Sequence, residues 1–233
     1  MSPRMQQIPL AIGPETTPSF DTFIAGANQA ALAHVRDLAL PAAPVYLWGP
    51  TGSGKSHLLR ALVFALHQRG QRAGSFCGGD HAPWLLSPDW SLVVIDDCHA
   101  LDHEAQQAAF ALFVDAATHG VQVLAAGRLP PVDLSLRDDL RSRLAWGHVF
   151  AMTCPTEAES RAALRREADR RGILLSDEVM NFLLTRFSRD LKSLMALLDD
   201  LDEFALSRLR GVTVPLLREM IAERTPLIER VSA

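Results

Sequence analysis

Eight consecutive residues, Gly49-Pro50-Thr51-Gly52-Ser53-Gly54-Lys55-Ser56, fit the pattern G-x-x-x-x-G-K-[ST]. Three glycines allow backbone angles that a Cβ would forbid, so successive N–H groups can turn into one concavity that holds phosphate oxygens. Lys55 is placed to reach β and γ phosphates, and the Ser56 hydroxyl to ligate Mg²⁺. The chain has 23 Lys plus Arg, yet only Lys55 and Lys192 are lysines. In a chain that otherwise uses arginine, a compact ammonium at this point suits a point contact with phosphate better than a planar fork.

A second group of residues could work on the same phosphates. Leu92-Val93-Val94-Ile95 is an apolar run ending in Asp96 and Asp97. It reads as a strand buried on both faces, with two carboxylates at the edge where open α/β sheets bind ligands. Asp96 suits the Mg²⁺ shell, and Asp97 suits positioning or deprotonating an attacking water. Four apolar residues and an acid say little alone; about forty residues after a phosphate loop they say much more. His99 and His103 could in principle share a metal on one helical face, but only Asp102 or Glu104 could join them, and a solvated helix start is the better reading. Arg161, Arg165, Arg166, Arg170 and Arg171 alternate with acids and read as a salted surface, not a nucleic-acid patch.

These residues need a scaffold. Val45-Tyr46-Leu47-Trp48 reads as a buried strand entering the loop, and His57 onward as the helix leaving it. Strands are expected at 73–77, 92–96, 121–126 and 149–152, and helices at 28–40, 102–118 and 136–146, with Asn28 as the cap of the first. Alternation of this kind predicts an α/β fold with a five-stranded parallel sheet covered by helices. From Pro155 the pattern turns all-helical, with helices expected at 156–171, 176–187, 189–209 and 213–223. Thr156 with Glu159 resembles a capping box. The expected organisation is therefore an arm (1–19), an α/β domain (20–153) and a small α-helical lid (154–233).

Composition narrows the classes further. A formal charge of −4 gives no broad electrostatic reason for nucleic acid as the main ligand. No apolar run approaches a membrane span, and the N-terminus lacks a signal-type core. Cys77, Cys98 and Cys154, odd in number and widely spaced, fit a reduced, cytoplasmic protein. The arm holds five prolines or glycines within residues 1–19, and inside it Gln7, Leu10 and Ile12 could dock as an extended peptide. On chemistry alone, those three would sooner pack on the domain's own surface.

Taken together, the elements resemble an AAA+ module of the DnaA type. Phe20 to Asn28, FDTFIAGAN, resembles the box that opens that module; LVVIDDCH resembles its acidic strand; and Asp139 to Gly147, DLRSRLAWG, resembles its box VII. The lid without a following helix-turn-helix, and the short arm, are similar to the Hda family of regulatory inactivators of DnaA. That resemblance implies an arm that docks on the sliding clamp of DNA polymerase III through Gln7, Leu10 and Ile12, which reverses the reading from chemistry alone. It implies ADP or ATP, with Mg²⁺, held by the loop together with Phe20, His57 and Lys192. It also implies that Arg143 is an arginine finger presented to ATP on DnaA, so that the protein turns replication initiation off. DNA would be contacted weakly or through partners, self-association is left open, and the protein would work at the replisome.

Departures from the family pattern shape the expectation. Ala125, Ala126 and Gly127 offer the γ-phosphate no side-chain hydrogen bond, Asp139 stands where box VII has a basic residue, and Lys192 stands for the lid's sensor arginine. Weak intrinsic ATPase with tight nucleotide binding follows. An autonomous AAA+ motor or helicase loader, a DNA-binding initiator paralogue and a non-catalytic clamp adaptor remain the alternatives.

Overall fold

The computed structural model describes residues 18–187 and 191–231 of the chain, the last turns of the final helix by backbone alone. The described chain divides into two compact units that meet in sequence at Pro155 and Thr156.

The first unit is a five-stranded sheet of β1 (Val45–Trp48), β2 (Arg72–Cys77), β3 (Trp90–Asp96), β4 (Gln122–Gly127) and β5 (His148–Ala151). Their order is β2-β3-β4-β1-β5, and every neighbouring pair is parallel. The period-2 alternation of each strand sorts its residues between two cores. Val45, Leu47, Leu92, Val94, Leu124 and Ala126 face α1 (Gln29–Arg36) and α2 (Lys55–Gln68). Tyr46, Val93, Ile95, Val123 and Ala125 face α3 (His103–His119) and α4 (Asp138–Ala145). Both faces being covered explains why β3 and β4 read as continuous apolar runs.

Register then fixes the functional edge. Ile95, Ala125 and Tyr46 stand in one row across β3, β4 and β1. One to three residues further on, Asp96, Gly127 and Gly49 therefore leave the sheet at the same carboxyl edge, where parallel α/β sheets bind ligands.

The second unit packs α5 (Glu157–Arg170), α6 (Asp177–Arg186), α7 (Leu191–Arg208) and α8 (Val214–Val231) around a core that includes Leu164, Met180, Leu183, Leu198, Leu201 and Leu217. The Thr156 hydroxyl accepts from the Glu159 amide while the Glu159 carboxylate accepts from the Thr156 amide, a reciprocal capping box. Four of the five arginines in the run along α5 are paired: Arg161 with Glu157, Arg165 with Asp177, and Arg170 and Arg171 with Glu167. No helix among the described residues is long and apolar enough to cross a membrane.

Candidate functional site

The loop after β1 is shaped by its own lysine. Lys55 is only 7% exposed, and its ammonium donates to the carbonyl oxygens of Gly49 and Pro50, both at 2.8 Å, and to Ser53 Oγ at 3.2 Å. Burial lowers its pKa, opposed by the nearby carboxylates of Asp96 and Asp97. Gly54 precedes α2 in a left-handed conformation (φ 91°), and no side chain caps that helix. The amides of the first turn of α2 thus face the loop with no capping oxygen, the arrangement that accepts a phosphate. A Cβ on Gly54 would run into the ring of Phe23, so this position is closed to other residues on two counts.

Phe23 belongs to the segment before α1, which lies over the start of α2. His57 Nε2 is 2.9 Å from the Ser19 carbonyl oxygen and 3.3 Å from Thr22 Oγ1, and its ring meets Phe23 at 5.6 Å. Phe20 is half-buried against the same core. Burial is the main reason that the His57 pKa is lowered. The structure thus engages His57 with its own chain, on the outer side of the phosphate loop.

Asn28 differs from its expected role. Its side chain makes no cap bond at α1, which begins at Gln29 and ends at Arg36, four residues short of the expected Leu40. Instead Asn28 is 5% exposed and tied to Thr153 at the end of β5: Oδ1 accepts from the Thr153 amide and Nδ2 donates to its carbonyl, both at 2.8 Å. A longer contact, 3.4 Å, reaches the Ser53 carbonyl in the phosphate loop. One amide therefore fastens the opening segment, the loop and the last strand.

The acidic edge is less regular than a strand ending in two acids suggests. Asp96 Oδ1 accepts from the Asp97 amide at 2.9 Å. Asp97 adopts a left-handed conformation (φ 51°), unusual for a residue with a Cβ, and begins a short 3-10 turn, Cys98–Ala100. Its carboxylate lies 3.8 Å from Cys77 Sγ and 3.9 Å from His99 Nδ1. Burial lowers the His99 pKa, so that imidazole is not a charge partner for Asp97 at neutral pH. Asp97 is thus left half exposed with weak partners. His103 starts α3, capped by Asp102, and among the described residues no cluster could hold a metal ion by itself.

Two buried polar groups that sequence reading missed hold the sheet's ends. The Tyr46 hydroxyl donates to the Leu129 carbonyl at 2.9 Å and fills the space beside Gly127, where any Cβ would collide with it. The Gln122 side chain accepts from the Ala42 amide at 2.6 Å and donates to the Ala43 carbonyl at 3.0 Å, pinning the segment before β1.

Arg143 lies in the last turn of α4. The acids beside it are committed elsewhere: Asp139 to Arg137 and Asp138 to Arg141, each at 2.7 Å. The Arg143 guanidinium has no hydrogen-bond or ion-pair partner among the described residues. Lys192 is exposed in the first turn of α7, in the second unit. Gln7, Leu10 and Ile12 lie outside the described residues.

Comparison with known proteins matches these two units to two family models. Residues 15–74 match the bacterial DnaA ATPase domain, and residues 157–221 match the lid domain of Hda. The chain is thus similar to DnaA-type AAA+ proteins in its first unit and to Hda in its lid. Solved structures carry the same fold. Domain III of the replication initiation protein DnaA from Thermotoga maritima superposes with a TM-score of 0.73 at 21% identity, over 91% of this chain and 98% of that one. AMPPCP-bound DnaA from Aquifex aeolicus gives 0.69 at 21% identity, over 94% of this chain and 73% of that one. The RuvB Holliday junction branch migration motor of T. maritima gives 0.62 at 16%, over 88% and 71%.

Proposed function

We propose that this DnaA-type protein is a negative regulator of chromosomal replication initiation that binds a nucleotide and stimulates hydrolysis of ATP bound to DnaA. The observation that carries the reading is Arg143, a cation on α4 without a partner among the described residues while its acidic neighbours pair with Arg137 and Arg141. A guanidinium held free in this way can be presented to another subunit's γ-phosphate and stabilise charge that develops as the phosphoryl group departs. Fingers supplied in trans are worth about 10³–10⁵ in rate in other nucleotide hydrolases.

The phosphate loop supports a resident nucleotide, ADP or ATP. Lys55 would exchange its bonds to the loop carbonyls for bonds to phosphate oxygens, and the α2 amides would take the remaining charge. Ser56 and Asp96 would hold Mg²⁺, which would neutralise phosphate charge. Asp97 would position or deprotonate water in whatever hydrolysis this chain performs itself. With no side chain on Gly127 to reach the γ-phosphate side, that hydrolysis is weak, and the nucleotide acts mainly as a structural ligand. Phe20 would border the nucleotide, and Lys192 would supply the lid's cation. Gln7, Leu10 and Ile12 would dock the protein on the DNA polymerase III sliding clamp, with DNA reached through these partners.

Loss of ATP from DnaA is followed in the presence of DNA-loaded clamp, with this protein, with Arg143→Ala, and with Gln7, Leu10 and Ile12 all replaced by Ala. Acceleration by the intact chain alone supports both finger and tether. The intact Lys55, Ser56, Asp96 and Asp97 favour a second reading, an autonomous AAA+ motor or helicase loader. Vigorous hydrolysis of the chain's own ATP, indifferent to DnaA, would select it.

A further inference from the structure

Arg143 forms part of the wall of a recess of about 300 Å³ at the opposite edge of the sheet from the phosphate loop. Its floor is apolar: Phe113 and Ala116 from α3, Val121 just before β4 and Val123 within it. Its lip is Pro41, Ala42, Ala117 and Trp146. Trp146, one turn after Arg143, is 71% exposed, an unusual place for the largest apolar side chain in a chain with 4 tryptophans.

The recess is built, not incidental. Gln122, fully buried, clamps Ala42 and Ala43 from below, and the His148 amide donates to the Pro44 carbonyl at 2.8 Å. Gly147 lies so close to Pro44 that no Cβ would fit between them. The side of the lip formed by the segment before β1 is thus fixed before anything binds, which lowers the ordering cost of binding.

We propose that this recess is an anchor pocket for an apolar side chain of the ATP-bound DnaA subunit whose nucleotide Arg143 reaches, with Trp146 closing over that side chain. The inference rests on the finger reading above and deepens it. Charge decides the occupant. A pocket of apolar floor with one unpaired cation in its wall takes an apolar group from a surface that also presents an anion, and a subunit presenting triphosphate beside its own protein surface has both. An exposed Trp and a half-buried Arg lining one apolar recess are also the composition of a binding hot spot. Docking and catalysis then divide between neighbours at the end of one short helix: Trp146 and the recess hold the partner, and Arg143 acts on its phosphate.

The division predicts a split between concentration and rate. Single-turnover hydrolysis of DnaA-bound ATP is titrated with this protein, with Trp146→Ala, and with Ala117→Leu, which fills the recess from the exposed face of α3. Unfolding curves with nucleotide confirm that the variants are folded. Both substitutions should raise the half-saturating concentration by about tenfold or more and still approach the plateau rate. Arg143→Ala should lower the plateau instead. If Trp146→Ala and Ala117→Leu titrate like the parent while Arg143→Ala loses the plateau, the pocket is not the anchor and the finger stands. If they instead weaken self-association, measured by sedimentation, with DnaA titration unchanged, the recess joins copies of this chain and the proposal is overturned. A full plateau with Arg143→Ala overturns the finger reading itself.

Discussion

Asn28 and Thr153, 125 residues apart, hold each other by two 2.8 Å hydrogen bonds in which one side-chain amide satisfies both backbone groups of its partner. The pair joins the segment that lies over the phosphate loop to the end of β5, the last strand before the helical unit. Asn28→Ala leaves a buried N–H and C=O unpaired and should destabilise the protein by about 2–4 kcal/mol. Because the same side chain also approaches Ser53, nucleotide affinity should fall with stability. Urea unfolding with and without ADP reads both, and an unchanged midpoint would show the pair to be dispensable.

Lys55 is satisfied by its own loop before any phosphate arrives. Lys55→Met should therefore cost little stability without nucleotide, since a desolvated charge leaves together with its bonds. It should lower nucleotide affinity by about 10–100-fold, the weight of a charge-assisted contact. Calorimetric titration with ADP and Mg²⁺ checks the affinity, and unfolding of the nucleotide-free protein checks the stability.

Tyr46 and Gly127 form a steric couple. Tyr46→Phe should cost about 1 kcal/mol through the lost bond to the Leu129 carbonyl. Gly127→Ala alone should cost about 1–3 kcal/mol, because its methyl meets the hydroxyl. In the double variant the hydroxyl is gone, so the combined loss should be smaller than the sum. A double-mutant cycle by denaturant unfolding measures that coupling, and simple additivity would remove the contact from the account.

Acid should weaken the fold at near-neutral pH. Burial lowers the pKa values of His34, His57 and His99 below their ordinary 6.5. The unfolded chain then binds protons that the folded chain refuses, so stability rises with pH through this range and is lost as pH falls below 6.5. His57→Gln keeps a donor for the Ser19 carbonyl and removes one titrating group. The fall in unfolding midpoint between pH 7.5 and 5.5 should be shallower in that variant than in the parent.

The sheet and the phosphate loop were legible because their signals are local: apolar runs, turn glycines and a Lys-Ser pair within twenty residues. The capping box at Thr156 and the mostly acid-paired basic face of α5 were legible for the same reason. What escaped reading depends on partners distant in sequence. Asn28 resembles a helix cap until Thr153 is seen beside it, and Gln122 resembles a polar strand end until Ala42 and Ala43 are. The left-handed turn of Asp97 has no marker, since glycine usually signals that conformation. Arg143 could be picked out only through its resemblance to box VII; its lack of an acidic partner emerged once Asp138 and Asp139 were seen engaged with Arg141 and Arg137.

The central claim is that hydrolysis occurs on the partner's nucleotide and needs Arg143. It is tested by placing γ-labelled ATP on DnaA alone, then on this chain alone, and following release of phosphate at saturating protein. Label on DnaA should be released quickly with the intact chain and about 10³-fold more slowly with Arg143→Ala, the lower end of what a finger in trans contributes. Label on this chain should persist in both cases. Rapid release from this chain, or equal release from DnaA with and without Arg143, would contradict the account.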